Sequence, residues 1–160
     1  MVRAKEAMCQ CTMARQALRF AMQVRPFLDP DEAAVIALWE ACGLTRSWND
    51  PRKDIERKRS VQRERFLVGT HDDVVIASIM IGYDGHRGWI NYLAVEPAHR
   101  KKGHARTLMR EAERLLAVAG CPKINLQIRT TNASVIEFYE AIGYAQDDVV
   151  SYGRRLIADE

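Results

Sequence analysis

The chain has 160 residues, of which 48% are hydrophobic and 28% are charged. These values are typical of one soluble globular domain, and they exclude a disordered acidic segment, a collagen-like repeat and a disulfide scaffold. The net charge of +3 lies entirely in residues 1–21, which hold four basic residues and one acidic residue, whereas the rest of the chain holds 20 of each. A neutral body argues against a nucleic-acid partner.

The first 21 residues lack the compact apolar stretch of a signal peptide. We interpret residues 1–21 as an N-terminal extension and predict that residues 22–160 form the domain. Because the extension contains arginine and few acids, an organellar transit peptide is the alternative interpretation. The chain has no run of about 18 apolar residues, so neither a membrane span nor a membrane partner is expected.

The four cysteines are too few and too scattered for a secreted disulfide framework. Cys42 and Cys121 are predicted to be reduced and structural, which favours a cytoplasmic location. Cys9 and Cys11 could hold a metal ion, but no second ligand pair follows at zinc spacing, so no metal is predicted.

The first half of the chain predicts two helices and the first strands. Residues 22–27 alternate as a strand does, and Asp29 is placed to cap a helix that ends at Gly43. Residues 52–65 are strongly charged and predict an exposed helix. Two strand patterns within residues 66–83 predict an antiparallel hairpin.

The second half of the chain alternates strands with helices. A strand over residues 89–95 precedes the clearest amphipathic helix, residues 103–119, and a short strand over residues 124–128 precedes a helix capped by Asn132. The tail, residues 144–157, predicts one or two final strands. The order of elements predicts an α+β fold, with a mixed, mostly antiparallel sheet of six to seven strands and about four helices on its faces.

An anion site is encoded where the clearest helix begins. The first turn of a helix exposes amide N–H groups without internal partners and its dipole favours negative charge, so a phosphate is the natural ligand. Gly103 would let a diphosphate approach the backbone, and Ala105 keeps a nearby position small. Arg100, Lys101 and Lys102 add local positive charge. The alternative is a solvated basic loop before a helix.

Two motifs resemble the signatures of the GNAT superfamily of N-acyltransferases. Arg100-x-x-Gly103-x-Ala105 follows a strand and resembles the acyl-CoA signature, commonly written Gln/Arg-x-x-Gly-x-Gly/Ala. The second signature, an Asn followed by Phe/Tyr-Tyr and then Gly-Phe/Tyr, is matched by Asn132, Phe138, Tyr139, Gly143 and Tyr144. One match would be weak, whereas the two in the expected order form a specific resemblance.

The resemblance covers residues 22–160 and extends to a bacterial subgroup, the YpeA-type acetyltransferases. It places the charged run 52–65, together with Trp48 and Asn49, near the opening for the acceptor. The basic excess of that run would attract an acidic acceptor or would simply form a solvated helix face. The segments that carry the subgroup resemblance are residues 48–51, 54–58, 82–88 and 120–124.

The resemblance implies that acetyl-CoA binds at the motif residues as co-substrate. The strand amides of Leu93, Ala94 and Val95 would bind the pantetheine arm and the thioester carbonyl, and Asn132 would contact the CoA arm. Tyr139 is implied to face the departing sulfur, although its spacing also fits a core aromatic. The diphosphate would be bound by the amides of Lys101, Lys102, Gly103, His104, Ala105 and Arg106, with Arg100 beside it.

The sequence names no clear base for the acceptor amine. The strand that the resemblance makes central holds no carboxylate, which leaves Glu96 as a weak base candidate, with Asp84 and His86 as further candidates. Each of these three also fits an ordinary turn or solvated residue. Tyr139 would donate a hydrogen bond to the departing sulfur rather than transfer its proton outright, because a phenol is less acidic than a thiol.

The leading hypothesis is an acetyl-CoA-dependent N-acetyltransferase that moves the acetyl group to a primary amine by direct attack in a ternary complex. A non-catalytic acyl-CoA sensor of the same fold is the alternative, motivated by the missing carboxylate. A nucleic-acid-binding module is disfavoured by the neutral body. The sequence leaves open whether the acceptor is a small molecule or a protein amine, and whether the final strands pair two copies into a homodimer.

Overall fold

The computed structural model describes residues 22–159, so the extension and its two cysteines lie outside the described residues. Within the described part the chain forms one five-stranded sheet, in the order β1-β2-β3-β4-β5, and four α-helices. The strands are β1 (Gln23–Pro26), β2 (Phe66–His71), β3 (Val74–Tyr83), β4 (Gly88–Val95) and β5 (Ile124–Leu126), and the helices are α1 (Glu32–Ala41), α2 (Pro51–Ser60), α3 (His104–Val118) and α4 (Ala133–Ala141).

The first four strands pair antiparallel with their neighbours, and β5 pairs parallel with β4. The helices divide between the two faces of this sheet. One apolar cluster, centred on Trp39 and Phe66, includes Ile55 of α2, and we call this side the α1/α2 face. The other cluster joins Ile79 to α3 and to Tyr139 of α4, and we call it the α3/α4 face. The predicted α+β class with a mixed sheet is therefore confirmed.

The residue that secures the entry to α1 differs from the prediction. A 3₁₀ turn, Asp29–Asp31, precedes the helix, and Asp31 rather than Asp29 closes it, since the Leu28 N–H donates to Asp31 Oδ2 at 2.8 Å. The guanidinium of Arg25 also holds the Asp31 carboxylate, with N–O distances of 2.6 and 2.8 Å. This pairing compensates the charge of a carboxylate that is only 8% exposed.

The predicted charged helix is α2, and it is shorter than expected. It ends at Ser60, and Ile55 is its one fully buried residue. Basic side chains of the predicted run are neutralised by carboxylates near the start of α1: Arg52 and Arg59 of α2 pair with Glu32 and Asp29, and Arg63, beyond the helix, also pairs with Asp29. The run is therefore not an open basic surface over its whole length.

The prediction of six to seven strands is wrong for the described residues, which form five. The tail, residues 144–159, contains no strand. It lies beside β5 through side-chain contacts, with Lys123 Nζ 2.6 Å from Asp147 Oδ2. Because β5 has only three residues, it offers a short edge for a backbone ladder. The large apolar side chains of the tail stay exposed: Val149, Val150, Tyr152, Leu156 and Ile157.

Candidate active site

The central feature of the site is a strand that continues after its neighbour has ended. β5 pairs only with residues 88–90, whereas β4 continues to Val95. The Glu96 N–H donates to Ile76 O of β3 at 2.8 Å. Because backbone groups alternate along a strand, the amides of Leu93 and Val95 point away from β3, toward the side that β5 has left open.

Ala94 differs from its neighbours Leu93 and Val95 in the direction of its backbone amide. It stands opposite Ser78 in the register of β3 and is 3% exposed. By the same alternation its amide points toward β3 and belongs to the sheet. Of the three predicted strand residues, Leu93 and Val95 are therefore the two whose amides are directed into the opening.

A bulge interrupts β4 beside this opening. Ser78 pairs with Ala94 but Met80 pairs with Asn91, so two residues of β4 oppose one residue of β3, and Tyr92 takes a left-handed φ of 51°. Side chains in a regular strand alternate between the faces, but an inserted residue reverses the order. Ile90 lies in the α3/α4 cluster, whereas Tyr92, two residues later, packs on the α1/α2 cluster.

A buried hydrogen-bond chain holds the bulge. The Ser78 hydroxyl donates to the Tyr92 carbonyl at 3.1 Å, and the indole N–H of Trp39 donates to Ser78 Oγ at 2.9 Å. The Trp39 and Tyr92 rings also stack, with centroids 3.9 Å apart. Both Trp39 and Ser78 have 0% exposure, so an unpaired group here would cost about 1–3 kcal/mol.

Two of the predicted site side chains, Glu96 and Arg100, stabilise the turn between β4 and α3. Glu96 Oε2 accepts from the Ala98 N–H at 2.8 Å. Arg100 Nε donates to the Val95 carbonyl at 3.0 Å, and its Nη2 lies 3.4 Å from Cys42 Sγ. Arg100 therefore fastens the turn to β4 and α1.

The residues that follow form the predicted anion loop. Lys101 and Gly103 take left-handed φ values of 60° and 85°, and α3 begins at His104 with Gly103 as its N-cap. A Cβ at Gly103 would meet nothing within 4 Å, so the space over the loop is open. Free amides at a helix start beside left-handed residues form a concave site that fits a diphosphate. Ala105 and Arg106 lie in the same first turn, and Arg106 Nη2 donates to Ala141 O at 3.5 Å.

Three histidines lie in a row beside this loop. The ring centroids of His71 and His99 are 5.9 Å apart, and those of His99 and His104 are 6.3 Å apart. Partial burial, together with His99 and Lys102, lowers the pKa of His104 below its ordinary value. Its imidazole is therefore neutral near pH 7 in the free protein. Within residues 22–159, no group of three His, Cys, Asp or Glu residues is arranged to hold a metal ion.

Tyr139 lies on α4 among apolar side chains of the α3/α4 face. It is 7% exposed, its ring contacts that of Tyr144 at 5.6 Å in a T-shaped arrangement, and it shares its cluster with Leu93 and Val95. No residue between 22 and 159 makes a hydrogen bond to its hydroxyl. Burial raises the pKa of Tyr139 to about 12, so the phenol remains protonated.

Asn132 occupies the N-cap position of α4, as predicted, but its side chain does not cap the helix. Its backbone carbonyl accepts from the N–H groups of Val135 and Ile136 instead. The side-chain Oδ1 accepts only from Ser134 Oγ, at 3.4 Å, among the described residues. The side-chain amide of Asn132 is thus available to a ligand.

Asp84 and His86 lie at the wrong end of β4 for a base. They form the tip of the β3–β4 hairpin, and Leu93 lies five positions beyond Gly88, which is about 16 Å along a strand. The backbone N–H groups of Arg87 and His86 and the Trp89 indole donate to Asp84 and lower its pKa to about 2. Asp84 organises the turn.

The sequence interpretation missed a polar cluster beside the bulge. The Tyr92 hydroxyl donates to Asp54 Oδ2 at 2.5 Å and accepts from Asn49 Nδ2 at 3.2 Å, and Asn49 Nδ2 also donates to Asp54 Oδ2. Burial and the Asp54 carboxylate raise the pKa of Tyr92 above its ordinary value. The sequence of α2 contained a signal for this cluster. Asp54 and Lys58 share one helical face with Ile55, the single buried apolar residue of the helix, so that face could have been expected to turn toward the sheet.

The comparisons with known proteins agree with this geometry. Residues 32–144 match the family model described as the acetyltransferase (GNAT) family. An acetyltransferase of Yersinia pestis (strain Pestoides F) is 45% identical over 139 residues, which is 87% of this chain and 99% of that protein. A putative acetyltransferase of Agrobacterium tumefaciens superposes with a TM-score of 0.67 at 18% identity, covering 83% of this chain and 99% of that chain.

A third comparison concerns a CoA-bound neighbour. The aminoglycoside N-acetyltransferase AAC(6')-Iy, in its complex with CoA, superposes with a TM-score of 0.66 at 16% identity, covering 86% of this chain and 96% of that chain. The fold and the site therefore define an acyltransferase. The chain belongs to the acetyltransferase (GNAT) family and is an N-acetyltransferase. The family resemblance of the two motifs is confirmed, and the YpeA-type subgroup stays a prediction.

Proposed function

We propose that the chain transfers the acetyl group of acetyl-CoA to a primary amine by direct attack of the amine in a ternary complex. The observation that carries the proposal is the opening beside β4, where the amides of Leu93 and Val95 are left without strand partners by the end of β5. Such an edge binds an extended ligand through main-chain hydrogen bonds. The pantetheine arm of CoA has amide groups suited to it.

The loop at the start of α3 would bind the diphosphate of the same molecule. The amides from Lys101 to Arg106 converge at a helix N-terminus, and the left-handed Gly103 keeps side-chain atoms away from it. Arg100 would act by fastening the loop to β4. The side chain of Asn132 would contact the arm of CoA.

Tyr139 would donate a hydrogen bond to the departing sulfur. The CoA thiol, with a pKa near 8.5 for an ordinary thiol, is about 3.5 pK units more acidic than a phenol whose pKa is about 12. Full transfer of the phenolic proton would therefore be uphill by roughly 5 kcal/mol. A hydrogen bond from the Tyr139 hydroxyl would stabilise the sulfur as it departs, and the attacking amine would supply the proton that ends on the CoA thiol.

The demand for a base depends on the acceptor. Deprotonation of an α-amino group with a pKa near 8 costs only about 1.4 kcal/mol at pH 7, whereas a lysine-like amine near 10.4 requires roughly 5 kcal/mol. Glu96, the weak base candidate, has one carboxylate oxygen engaged by the Ala98 N–H. It would serve as a base only through its second oxygen.

The test is release of free CoA from acetyl-CoA with four amines: an alanyl peptide, an Nα-acetylated lysine, spermidine and kanamycin. We expect turnover with at least one amine and a stable N-acetyl product by mass spectrometry. Double-reciprocal plots of the initial rate should intersect and not run parallel, because both substrates bind before chemistry. Tight acetyl-CoA binding with no turnover of any amine in this panel would count against the proposal.

Location and assembly belong to the proposal as well. The thiols of Cys42 and Cys121 are free, which fits a reducing cytoplasm.

The exposed apolar tail supports pairing of two copies into a homodimer, and the neutral body gives no support to a nucleic-acid or membrane partner. Light scattering during size-exclusion chromatography measures the mass in solution. The described part of the chain contains no helix with the length and apolarity needed to cross a membrane.

A further inference from the structure

We propose that Asn49, Asp54 and Tyr92 form the subsite for the acceptor, where the Asp54 carboxylate binds the ammonium group of a primary amine and orients its nitrogen for attack. We call these three residues the Asp54 subsite. The inference rests on the proposed acetyl transfer and names the residues that would receive the second substrate.

The first support is position. Tyr92 is the bulged residue itself, and the next residue, Leu93, carries an amide directed into the opening of β4. The bulge turns the Tyr92 side chain to the α1/α2 face, opposite the face that holds Tyr139. The Asp54 subsite therefore approaches β4 from the side opposite to the residue proposed for the departing sulfur.

The second support is the hydrogen bonding of the carboxylate. An ionised carboxylate offers about four acceptor positions on its two oxygens. Asp54 Oδ2 accepts from Tyr92 and Asn49, and Asp54 Oδ1 accepts from Arg57 Nη1 at 3.0 Å. These contacts fix the orientation of Asp54 and leave acceptor capacity for one further N–H donor.

The third support is the partial burial of the Asp54 carboxylate. Arg57 pairs with Asp54 and also with Asp159, whose side chain is 3% exposed. Lys53 also acts on Asp159, so Asp159 does not depend on Arg57 alone. The Asp54 side chain is 19% exposed, so solvent reaches it while screening is reduced. A carboxylate with a remaining acceptor position in such a place favours a cationic ligand.

The fourth support is the exposed aromatic surface beside the subsite. Trp48 is 53% exposed and immediately precedes Asn49 in a tight turn that the Asn49 N–H closes on Arg46 O at 3.0 Å. An exposed indole on the residue that precedes Asn49 suits an amine that also carries an aliphatic or second cationic portion. We therefore expect alkyl amines or polyamines to bind better than small neutral nucleophiles.

The chemistry balances without a further reagent. The ammonium loses one proton to solvent while the Asp54 carboxylate holds the nitrogen through a remaining N–H, and the neutral nitrogen attacks the thioester carbonyl to form the C–N bond. The C–S bond then breaks, the sulfur takes the electron pair, and a second N–H proton ends on the thiol. The products are the N-acetyl amine, CoA and one proton.

The test compares the wild type with Asp54→Asn, Asp54→Glu and Tyr92→Phe. Glu56→Gln, on the exposed side of the same helix, is the matched control. With spermidine as the probe, we expect Asp54→Asn to lose about 100-fold in kcat/KM for the amine while KM for acetyl-CoA stays within about two-fold. Asp54→Glu should recover part of the loss, and Tyr92→Phe, which keeps the stacking on Trp39, should lose about ten-fold.

Binding of spermidine, measured by calorimetry in the presence of CoA, separates this inference from the proposed function. Binding to the wild type that is lost in Asp54→Asn supports the subsite even where no amine is acetylated. Equal spermidine binding by wild type and Asp54→Asn, or equal kcat/KM values, would overturn it, as would no spermidine binding to the wild type. Unchanged acetyl-CoA binding and thermal unfolding show that each variant is folded.

Discussion

The two faces of the sheet surround β4 with opposite kinds of environment. On the α3/α4 face, Tyr139 lies among apolar side chains, and within residues 22–159 its hydroxyl has no partner. On the α1/α2 face, the hydroxyl of Tyr92 joins Asp54 and Asn49 and its carbonyl joins Ser78. Both phenols have raised pKa values, but desolvation alone acts on Tyr139, whereas a neighbouring carboxylate adds to desolvation at Tyr92.

In the proposed function, this difference would let one strand serve two substrates. An apolar face with one uncommitted hydroxyl is suited to a neutral thioester and to a sulfur that acquires charge only during reaction. A face with oriented polar groups is suited to a ligand that arrives charged. The bulge at Tyr92 lets β4 contribute to both, because it sends Ile90 and Tyr92, which a regular strand would place on one face, to opposite faces.

The largest expected effect comes from the cofactor loop. Gly103→Glu adds a negative charge at the diphosphate position and forces a side chain into a φ of 85°, so we expect acetyl-CoA affinity to fall by about 100-fold or more. Calorimetry measures this. Gly103→Asn is the matched control, since asparagine tolerates left-handed backbone, and it should bind within about ten-fold of wild type. Equal losses in both variants would point to the backbone rather than to charge.

The next effect concerns the apolar face. Tyr139→Phe keeps the packing but removes the hydroxyl, and we expect kcat to fall by about 10- to 100-fold with little change in KM for acetyl-CoA. Initial rates at saturating amine measure it. Tyr144→Phe removes a neighbouring hydroxyl that donates to Glu113 Oε1 at 3.1 Å, so it should leave kcat unchanged. Similar kcat values for Tyr139→Phe and wild type would remove Tyr139 from the mechanism.

A smaller effect is expected from the chain that holds the bulge. Ser78→Ala leaves the Trp39 indole and the Tyr92 carbonyl unpaired in a fully buried place, so we expect a loss of about 1–3 kcal/mol in the free energy of unfolding. Urea denaturation measures it. Ser60→Ala, an exposed hydroxyl that donates to Arg57 O, should change stability by less than about 0.5 kcal/mol. A fall in kcat beyond the loss of folded protein would show that the bulge geometry matters for chemistry.

The smallest effect is a pH dependence of acetyl-CoA binding. Because the pKa of His104 is lowered in the free protein and a bound phosphate favours the imidazolium, lowering the pH from 7 to 5.5 should tighten binding by a few-fold. The dissociation constant measured across this range checks the direction. His104→Gln should flatten the dependence, and a profile that is unaltered in this variant would assign the effect to His99 or His71.

Most of the proposed cofactor side was predictable from local sequence. Gly103, the helix that it opens and the Asn132 N-cap position follow from local rules of helix starts, and the helix, predicted over residues 103–119, spans His104–Val118. The alternating strands and the periodic helices likewise fixed the α+β class. The two motifs indicated the GNAT family because each lies within one continuous segment of the chain, so its spacing can be recognised without the tertiary structure.

The proposed acceptor side could not be predicted from local sequence. A period of two places Ile90 and Tyr92 on one face, and nothing local shows that a bulge separates them. Asp54 and Tyr92 are 38 positions apart in the chain, and they meet because Ile55 anchors α2 in the apolar cluster on which Tyr92 packs. The tail was mispredicted for a related reason, since an alternating pattern becomes a strand only where an edge of sufficient length is present. Local periodicity sets the elements, whereas register, bulges and sheet edges depend on contacts between distant segments.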